Sequence, residues 1–210
     1  MKRLSKVKIG WSPDFAYAIG LLATDGNLSK DGRHINITSK NKGMISIFKK
    51  CPSIKNKIGR KCRGGSKEKK YFQVQFGDKN FYDFLMFLGL TPAKSKTIGS
   101  LKIPAEYFAD FLRGCVDGDG NICVTKHPES QYPQLRIRLY SASPKFLDWA
   151  KNEISKNTNT DGGWIENKKS MGVLAYAKSD SIKLLNFMYY SKEIPCLRRK
   201  YKIAKSFLRA

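Results

Sequence analysis

Acidic residues are scarce in this sequence of 210 residues, which holds 17 Asp and Glu against 40 Lys and Arg, a net charge of +23. A charge excess of this size opposes a compact fold by self-repulsion, and it is tolerated where the partner is a polyanion. Nucleic acid is the first candidate partner, and an anionic membrane surface is the second. No basic amphipathic helix stands out, and the basic residues are spread along the whole chain, which favours nucleic acid.

Metal-binding and disulfide patterns are missing as well. The five cysteines are odd in number and form no CxxC pair and no Cys/His ligand spacing, which argues against zinc and against a disulfide framework. No apolar run approaches the length of a membrane span, and the first residues contain no signal-peptide core. We therefore expect a soluble intracellular protein with reduced thiols and no membrane partner, in a microbial cytoplasm rather than an organelle.

The second half of the sequence repeats the first. The segment FAYAIGLLATDGN (15–27) matches FADFLRGCVDGDGN (108–121) in its closing residues, which places Asp25 on Asp119. Polar and apolar segments follow in the same order in both halves, so each half is predicted to fold as α-β-β-α-β-β-α in an α+β protein. The predicted divisions are a first repeat (1–96), a linker (97–104) and a second repeat (105–210).

Strict alternation of apolar and polar residues marks one strand in each half. In HINITSK the apolar positions are Ile35 and Ile37, and in QLRIRLY they are Leu135, Ile137 and Leu139. This period of two is typical of a half-buried antiparallel strand with one face toward the core.

Small residues interrupt the two helices that open the repeats. Gly20 lies in the first helix, and Gly114 and Gly118 lie in the second at GxxxG spacing. Glycine inside a helix costs about 1 kcal/mol relative to alanine, so its presence needs a reason. Small residues at this spacing let two helix backbones approach closely. We therefore predict that Gly20 and Gly114 pack at an interface between the repeats, with Asp25 and Asp119 brought together at its end.

Two carboxylates at the negative ends of two helix dipoles repel one another unless cations lie between them. Hard divalent cations take oxygen ligands, and two of them at a phosphodiester can activate water and stabilise the leaving oxygen. A single TDGN is usually only a helix C-cap or turn. Its duplication favours a metal site at Asp25 and Asp119, with two or more Mg²⁺ ions and with Mn²⁺ as a substitute.

The motifs AIGLLATDG (18–26) and LRGCVDGDG (112–120) resemble those of the LAGLIDADG homing endonucleases in their single-chain, two-motif form. The resemblance covers almost the whole chain. It implies two four-stranded antiparallel sheets that form a DNA-binding saddle, with the motif helices paired at a pseudo-twofold interface. It also implies a monomer, intron-encoded, that cuts both strands of a long DNA target with divalent metal ions.

The resemblance assigns roles to individual residues. Asp25 and Asp119 would be catalytic metal ligands, assisted by the carbonyls of the residues that precede them, Thr24 and Gly118. Asp117 is interpreted as a helix-end residue and not as a ligand, because the first repeat has Ala23 at that position.

Two further pairs of residues follow from the same resemblance. A basic residue near each scissile phosphate would be Lys94, in PAKSK, and Lys200, in RRKYK. Members of the family often have glutamine at the end of the second strand of each repeat, where it orders water. Ser39 and Ser141 occupy those positions and are shorter, so the water network is expected to differ.

The outward strand residues are expected to contact DNA. In the first repeat they are His34, Asn36, Thr38, Lys40, Tyr71, Gln73 and Gln75, with Arg60. In the second they are Gln134, Arg136, Arg138, Tyr140, Tyr176 and Lys178, with Lys126, Trp164 and Lys168. The loop RGGSKEKK (63–70) is expected to clamp phosphates through Arg63, Lys69 and Lys70. Amides suit adenine and arginine suits guanine, and the two rows differ, so the target is predicted to be asymmetric.

Two other functions remain open from the sequence. A protein of this fold can act as an RNA-splicing maturase, with intron RNA as partner, or as a DNA-binding regulator that does not cleave. The two aspartates permit cleavage without requiring it. A basic membrane-surface protein is the third class, and it predicts liposome binding without sequence-selective DNA binding.

Overall fold

The computed structural model describes residues 5–62, 67–126 and 132–208, which form an α+β fold with two four-stranded antiparallel sheets. The elements of the first half are α1 (Pro13–Asp25), β1 (Gly26–Leu28), β2 (His34–Ser39), α2 (Lys42–Lys50), β3 (Gly59–Lys61), β4 (Tyr71–Gly77) and α3 (Lys79–Leu88). Those of the second half are α4 (Phe108–Asp119), β5 (Gly120–Thr125), β6 (Gln134–Ser141), α5 (Pro144–Thr158), β7 (Trp164–Asn167), β8 (Gly172–Tyr176), α6 (Lys178–Met188) and α7 (Arg198–Lys205).

The two halves share one topology, which confirms the predicted α-β-β-α-β-β-α unit. The strand order is β1-β2-β4-β3 in the first sheet and β5-β6-β8-β7 in the second. The second half has one helix more than predicted, because the basic stretch after α6 folds into α7.

The alternating strands divide the two faces of each sheet as predicted. Ile35 and Ile37 of β2 and Leu135, Ile137 and Leu139 of β6 are buried in the core, under the helices of their own half. The intervening polar residues are half-buried on the opposite face. The helical layer and the polar faces therefore lie on opposite sides of the sheets.

Local hydrogen bonds fix where the helices begin. The Ser12 hydroxyl accepts from the Phe15 amide at 3.1 Å at the start of α1, where Pro13 occupies the first helical position. Ser143 precedes Pro144 at the start of α5, where it occupies the N-cap position. Its hydroxyl does not cap that helix, however, and donates instead to the carbonyl of Ile98 at 2.5 Å. This bond ties α5 to the linker between the halves.

Helices α1 and α4 pack against each other with their backbones in contact. A Cβ atom placed on Gly20 would lie 2.2 Å from the carbonyl oxygen of Phe111, and one on Gly114 would lie 2.3 Å from that of Tyr17. Nearer the C-terminal ends, a Cβ on Gly118 would lie 2.0 Å from the Thr24 hydroxyl. At Gly20 and Gly114 only glycine fits at this separation, because the neighbouring atoms belong to the main chain.

A second contact between the halves lies at the other end of α1. Trp11 stacks on Tyr107 with ring centroids 5.9 Å apart and an interplanar angle of 16°. The segment before Trp11 is held by Asp78, whose Oδ2 accepts from the amides of Lys6 and Val7 at 2.6 and 2.9 Å. Within the described ranges, no helix combines the length and apolarity needed to cross a membrane.

The close contact of α1 and α4 can be tested by the sign of the change in the free energy of unfolding when Gly20 is replaced. Replacing Gly20 with alanine should improve helix propensity by about 1 kcal/mol. We expect Gly20→Ala to lower the free energy of unfolding instead, by about 1–3 kcal/mol, because the new methyl group meets main-chain atoms that cannot move aside. Urea denaturation measures the change.

Gly10→Ala is the matched control, since a Cβ there meets nothing within 4 Å. Its unfolding free energy should stay within about 0.5 kcal/mol of the wild type. A Gly20→Ala protein that is more stable than the wild type would contradict the packing of α1 on α4.

Candidate active site and nucleic-acid interface

The two motif aspartates lie at the C-terminal ends of the paired helices. Asp25 is the last residue of α1 and Asp119 the last residue of α4. Both line one cavity of about 460 Å³. The Oδ2 atom of Asp25 lies 3.2 Å from the point that a Cβ on Gly118 would occupy, so the first carboxylate lies against the end of the second motif.

The donor set at this cavity consists of oxygen atoms. In the described part of the chain, no three His, Cys, Asp or Glu side chains cluster as a metal site. A metal here would therefore depend on two carboxylates together with main-chain and water oxygens. Such a set fits a hard divalent cation such as Mg²⁺ and does not fit a soft one. The Thr24 carbonyl, an expected ligand, accepts a long hydrogen bond of 3.4 Å from Lys94 Nζ, and a carbonyl oxygen has two lone pairs.

Lys94 and Lys200 reach the two helix ends from opposite sides. The Nζ atom of Lys94 donates to the Gly26 carbonyl at 2.7 Å. The Nζ atom of Lys200 donates to the main-chain carbonyl of Gly120, the matching residue of the second motif, at 2.7 Å. It also donates to the main-chain carbonyls of Val116 at 2.5 Å and Asp117 at 3.0 Å. The ammonium groups thus complement the negative ends of the two helix dipoles.

Both lysines are buried, with 4% (Lys94) and 2% (Lys200) of the residue surface exposed. Loss of hydration lowers the pKa of each to about 8, against the opposing effect of the nearby carboxylates. Asp119 raises the pKa of Lys94 more than Asp25 does, and Asp25 raises that of Lys200 more than Asp119 does. The carboxylate that raises the pKa of Lys200 most is Asp117, which lies in the same half.

Asp117 is turned away from the cavity of the motif aspartates. It is 2% exposed, and its Oδ2 accepts from the Tyr17 hydroxyl and from the Leu197 amide, both at 2.8 Å. Burial raises its pKa, against the opposing effect of the Leu197 amide. The side chain joins α4 to α1 and to the start of α7, in keeping with its interpretation as a helix-end residue.

Ser39 and Ser141 take equivalent positions in the two halves. The Ser39 hydroxyl accepts from the Asn41 amide at 3.2 Å, and the Ser141 hydroxyl accepts from the Ser143 amide at 3.1 Å. Both bonds lie in the turn that leads from a strand into the following helix. Ser141 also lines a cavity of about 220 Å³ together with Lys94 and Asp119. Each hydroxyl can still donate one hydrogen bond.

The polar face of the first sheet leads into the cavity of the motif aspartates. Asn36 lies opposite Gln75 and Thr38 lies opposite Gln73, so these side chains form one patch. Asn36 and Thr38 line the cavity itself. Three other expected residues, His34, Lys40 and Tyr71, border the patch. His34 pairs with Asp31, and the Nζ atom of Lys40 lies 5.5 Å from the ring of Tyr71.

The register of β3 places Arg60 and Lys61, both exposed, on different faces of the first sheet. Lys61 lies opposite Tyr71, whereas Arg60 lies opposite Phe72 and its guanidinium is 5.1 Å from that ring. Because opposite residues share a face, Arg60 lies on the face of the core residues and Lys61 on the polar face. Lys61 also lines the cavity of Asp25 and Asp119.

The polar face of the second sheet carries more arginine and less amide. Gln134, Arg136, Arg138 and Tyr140 alternate with the buried residues of β6, as predicted. Arg138 lies opposite Asn121, and its NH1 donates to Cys123 Sγ at 3.4 Å. Trp164 lies across from Ala175 and is 37% exposed, with its indole N–H donating to Glu166 at 2.8 Å.

One predicted contact in the second half is wrong, and a second residue lies in a helix and not in the predicted strand. Tyr176 lies opposite Ile137 on the core face and is 2% exposed, so it cannot contact a duplex on the polar face. Lys178 is not in the strand, because β8 ends at Tyr176 and Lys178 begins α6. Its Nζ lies 5.6 Å from the ring of Tyr132.

Comparison with protein-family models and with curated proteins finds no match. Among solved structures, the homing endonuclease I-WcaI bound to its DNA recognition sequence matches with a TM-score of 0.64 and 14% identity, over 97% of this chain and 88% of I-WcaI. An I-DmoI variant in complex with its target DNA and Mn matches with a TM-score of 0.55 and 16% identity, over 86% of this chain and 95% of I-DmoI. Full-length DUF199/WhiA from Thermatoga maritima matches with a TM-score of 0.58 and 14% identity, over 94% of this chain and 61% of WhiA.

The chain has the LAGLIDADG homing-endonuclease fold. At this level of identity the likeness establishes the fold and not the activity.

The remaining lysines expected at the interface of the LAGLIDADG fold are exposed. They are Lys69, Lys70, Lys126 and Lys168. Lys70 forms an ion pair with Glu68 at 2.7 Å, both being largely solvated. Arg63 and the first part of the predicted phosphate clamp lie outside the described residues.

Sequence reasoning missed several residues around the motif aspartates. The cavity is also lined by Asn27, Lys61 and Ser95. Asn27 follows the Asp25-Gly26 pair of the first motif, and Ser95 follows Lys94, so proximity in sequence to predicted site residues could have identified both. Lys61 required the register of β3 on β4, which a three-residue strand does not reveal.

The burial of the Tyr176 hydroxyl can be tested by comparing the effect of its removal on stability with that of removing the hydrogen-bonded hydroxyl of Tyr17. The Tyr176 hydroxyl is buried and, among the described residues, has no hydrogen-bond partner. Tyr176→Phe should therefore leave the free energy of unfolding unchanged or raise it by up to about 1 kcal/mol. Tyr17→Phe should lower it by about 1–3 kcal/mol, because Asp117 loses a donor. Chemical denaturation of the two variants in parallel gives both values, and the reverse order would contradict the assignment of Tyr176.

Proposed function

We propose that this protein is a homing endonuclease, intron-encoded, that cuts both strands of a long, asymmetric DNA site with divalent metal ions. The observation that supports this most directly is the position of Asp25 and Asp119. One carboxylate comes from each pseudo-symmetric half, both line one cavity, and that cavity continues onto the polar face of a sheet. A cleft with this arrangement can hold one scissile phosphate per half.

The carboxylates of Asp25 and Asp119 would hold the cations, assisted by the carbonyls of Thr24 and Gly118. Bound there, Mg²⁺ or Mn²⁺ would supply an activated water and neutralise charge at the phosphate. The structural neighbour I-DmoI was crystallised with Mn, which is consistent with an oxygen-rich site of this kind. The carboxylates then serve to position the ions and the phosphate relative to each other.

Lys94 and Lys200 would act as cationic groups beside the two phosphates. Burial lowers the pKa of both side chains to about 8, against the opposing effect of the nearby carboxylates. Their hydrogen bonds to the motif carbonyls hold each ammonium group at a fixed place. Ser39 and Ser141 would order water between these groups.

DNA recognition would divide between the two sheets. Amide side chains on the first sheet suit adenine edges, and the arginines of the second suit guanine, each good pair contributing about 1–3 kcal/mol of discrimination. The exposed lysines at the edges would contact phosphates, which position the protein without reading sequence. Because the two faces differ, the half-sites should differ, and one chain suffices as a monomer.

Binding without cleavage is the alternative to this proposal. The same fold occurs in WhiA as well as in the endonucleases, and fold alone does not establish catalysis. A DNA-binding regulator or a maturase that binds intron RNA would use the same polar faces without needing the cavity chemistry. The aspartates distinguish these functions, because only cleavage depends on their charge.

The first test is cleavage of a plasmid library with randomised targets in Mg²⁺. We expect site-selective double-strand cuts by the wild type. Asp25→Asn and Asp119→Asn should each reduce the cleavage rate by at least about 100-fold, because the ligand charge is lost, while DNA binding persists. Selective binding without cutting by any of the three proteins would indicate the regulator or maturase.

A second test uses neighbouring residues on opposite faces of β3. Lys61→Ala should weaken DNA binding and reduce the slope of log K against log salt by about 1, as for the loss of one phosphate contact. Arg60→Ala removes the same charge from the core-side face. It should change the DNA affinity and the salt slope less than Lys61→Ala does. The wild type, with 6–10 phosphate contacts, should lose about 10³–10⁵ in affinity between 50 and 200 mM salt. A flat salt response would exclude a nucleic-acid partner.

A further inference from the structure

The two active-site lysines are held in place by different means. In the first half, residues 89–93 lead directly from α3 to Lys94. In the second half, the longer segment 189–197 leads from α6 to α7, which carries Lys200 in its first turn. A long segment without regular structure needs anchors along its length, and α4 supplies them.

Arg113 of α4 is the first anchor. It is completely buried, with Nε donating to the carbonyl of Pro195 at 2.8 Å and NH1 donating to that of Met188 at 2.6 Å. Its NH2 donates to Asp110 at 2.5 Å, and Asp110 also accepts from the hydroxyl of Tyr190 at 2.9 Å. The guanidinium thus holds both ends of segment 189–195 against α4.

Asp117, one turn further along α4, is the second anchor. Its Oδ2 accepts from the amide of Leu197, the residue at the N-cap of α7. The amide of Lys200 in turn donates to the carbonyl of Leu197 at 2.9 Å, in the first turn of that helix. Asp117 therefore fixes the point from which Lys200 projects toward the motif carbonyls.

Among the described residues of the first half, the positions that correspond to this network hold no polar side chain. The alignment that places Asp25 on Asp119 places Ala16, Ile19 and Ala23 on Asp110, Arg113 and Asp117. All three are buried apolar residues.

Lys94 is held by main-chain and apolar contacts instead. Gly89 ends α3 at φ 103°, in the left-handed conformation, and its amide donates to Leu85 and Met86. Leu90 and Ile98, which flank the lysine segment, are buried in the core. The two lysines thus reach equivalent positions through unrelated contacts.

We propose that Arg113 and Asp117 are positioning residues for Lys200 alone, so that they control hydrolysis of one DNA strand and not of the other. The consequence for DNA strands rests on the proposed endonuclease function. The positioning itself is a property of the free protein and can be tested without DNA.

The test in the free protein is acetylation of lysines, read by mass spectrometry. Both lysines should be protected in the wild type because both are buried. In Asp117→Ala and in Arg113→Met, acetylation of Lys200 should rise by about tenfold or more while Lys94 stays protected, since hydrogen bonds to a charged group are lost on one side only.

Ile19→Ala is the matched control, a truncation at the position of α1 that corresponds to Arg113. It should expose neither lysine selectively. If Lys200 stays protected in both network variants, or if Lys94 and Lys200 become exposed together, Arg113 and Asp117 belong to the common core and the proposal is wrong.

Strand-resolved cleavage tests the consequence. Lys94→Met and Lys200→Met identify the strand that depends on each lysine. Asp117→Ala should slow the strand assigned to Lys200 by about tenfold and leave the other within about twofold. A smaller folded fraction would slow both strands equally, so the ratio of the two rates does not depend on it. Equal slowing of both strands would overturn the proposal, and a wild type that cuts no DNA would contradict the endonuclease function while the acetylation result still decides the positioning.

Discussion

The contact between the backbones of α1 and α4 is the constraint on which the rest of the molecule depends. With glycine at positions 20 and 114, main-chain atoms of the two helices touch. Their C-terminal ends consequently lie side by side, and Asp25 and Asp119 face one cavity. The sheets follow directly after these helices, so the same contact also sets the position of one polar face relative to the other.

Much of this arrangement could be predicted because the sequence contains an internal repeat, in which the same pattern occurs in both halves. The duplicated motif identified the paired helices, and period-two alternation identified β2 and β6 with the correct faces inward. Strand β8 could not be assigned in this way, because all five of its residues are buried and its polar-face positions are Val173 and Ala175. The alternation is lost there, and Tyr176 was placed on the wrong face.

The contacts that hold Lys200 were hidden for another reason. Arg113 and Asp117 read as polar positions within an apolar helix, and their partners at Met188, Pro195 and Leu197 are about 80 residues away in sequence. No local pattern reports such a pairing. A buried arginine is stable only when its donors are satisfied, so its position in the core depends on the complete set of these partners.

The close helix contact also bears on how such a protein can change over time. Around Gly20 and Gly114, the surface between the halves is formed by main-chain atoms of the two helices. Substitutions on the polar faces of the sheets therefore leave these main-chain contacts untouched, and each sheet can diverge independently of the other. A duplicated chain built in this way can acquire two unrelated reading surfaces while keeping a single shared centre, which makes its halves interchangeable parts for recombination or protein engineering.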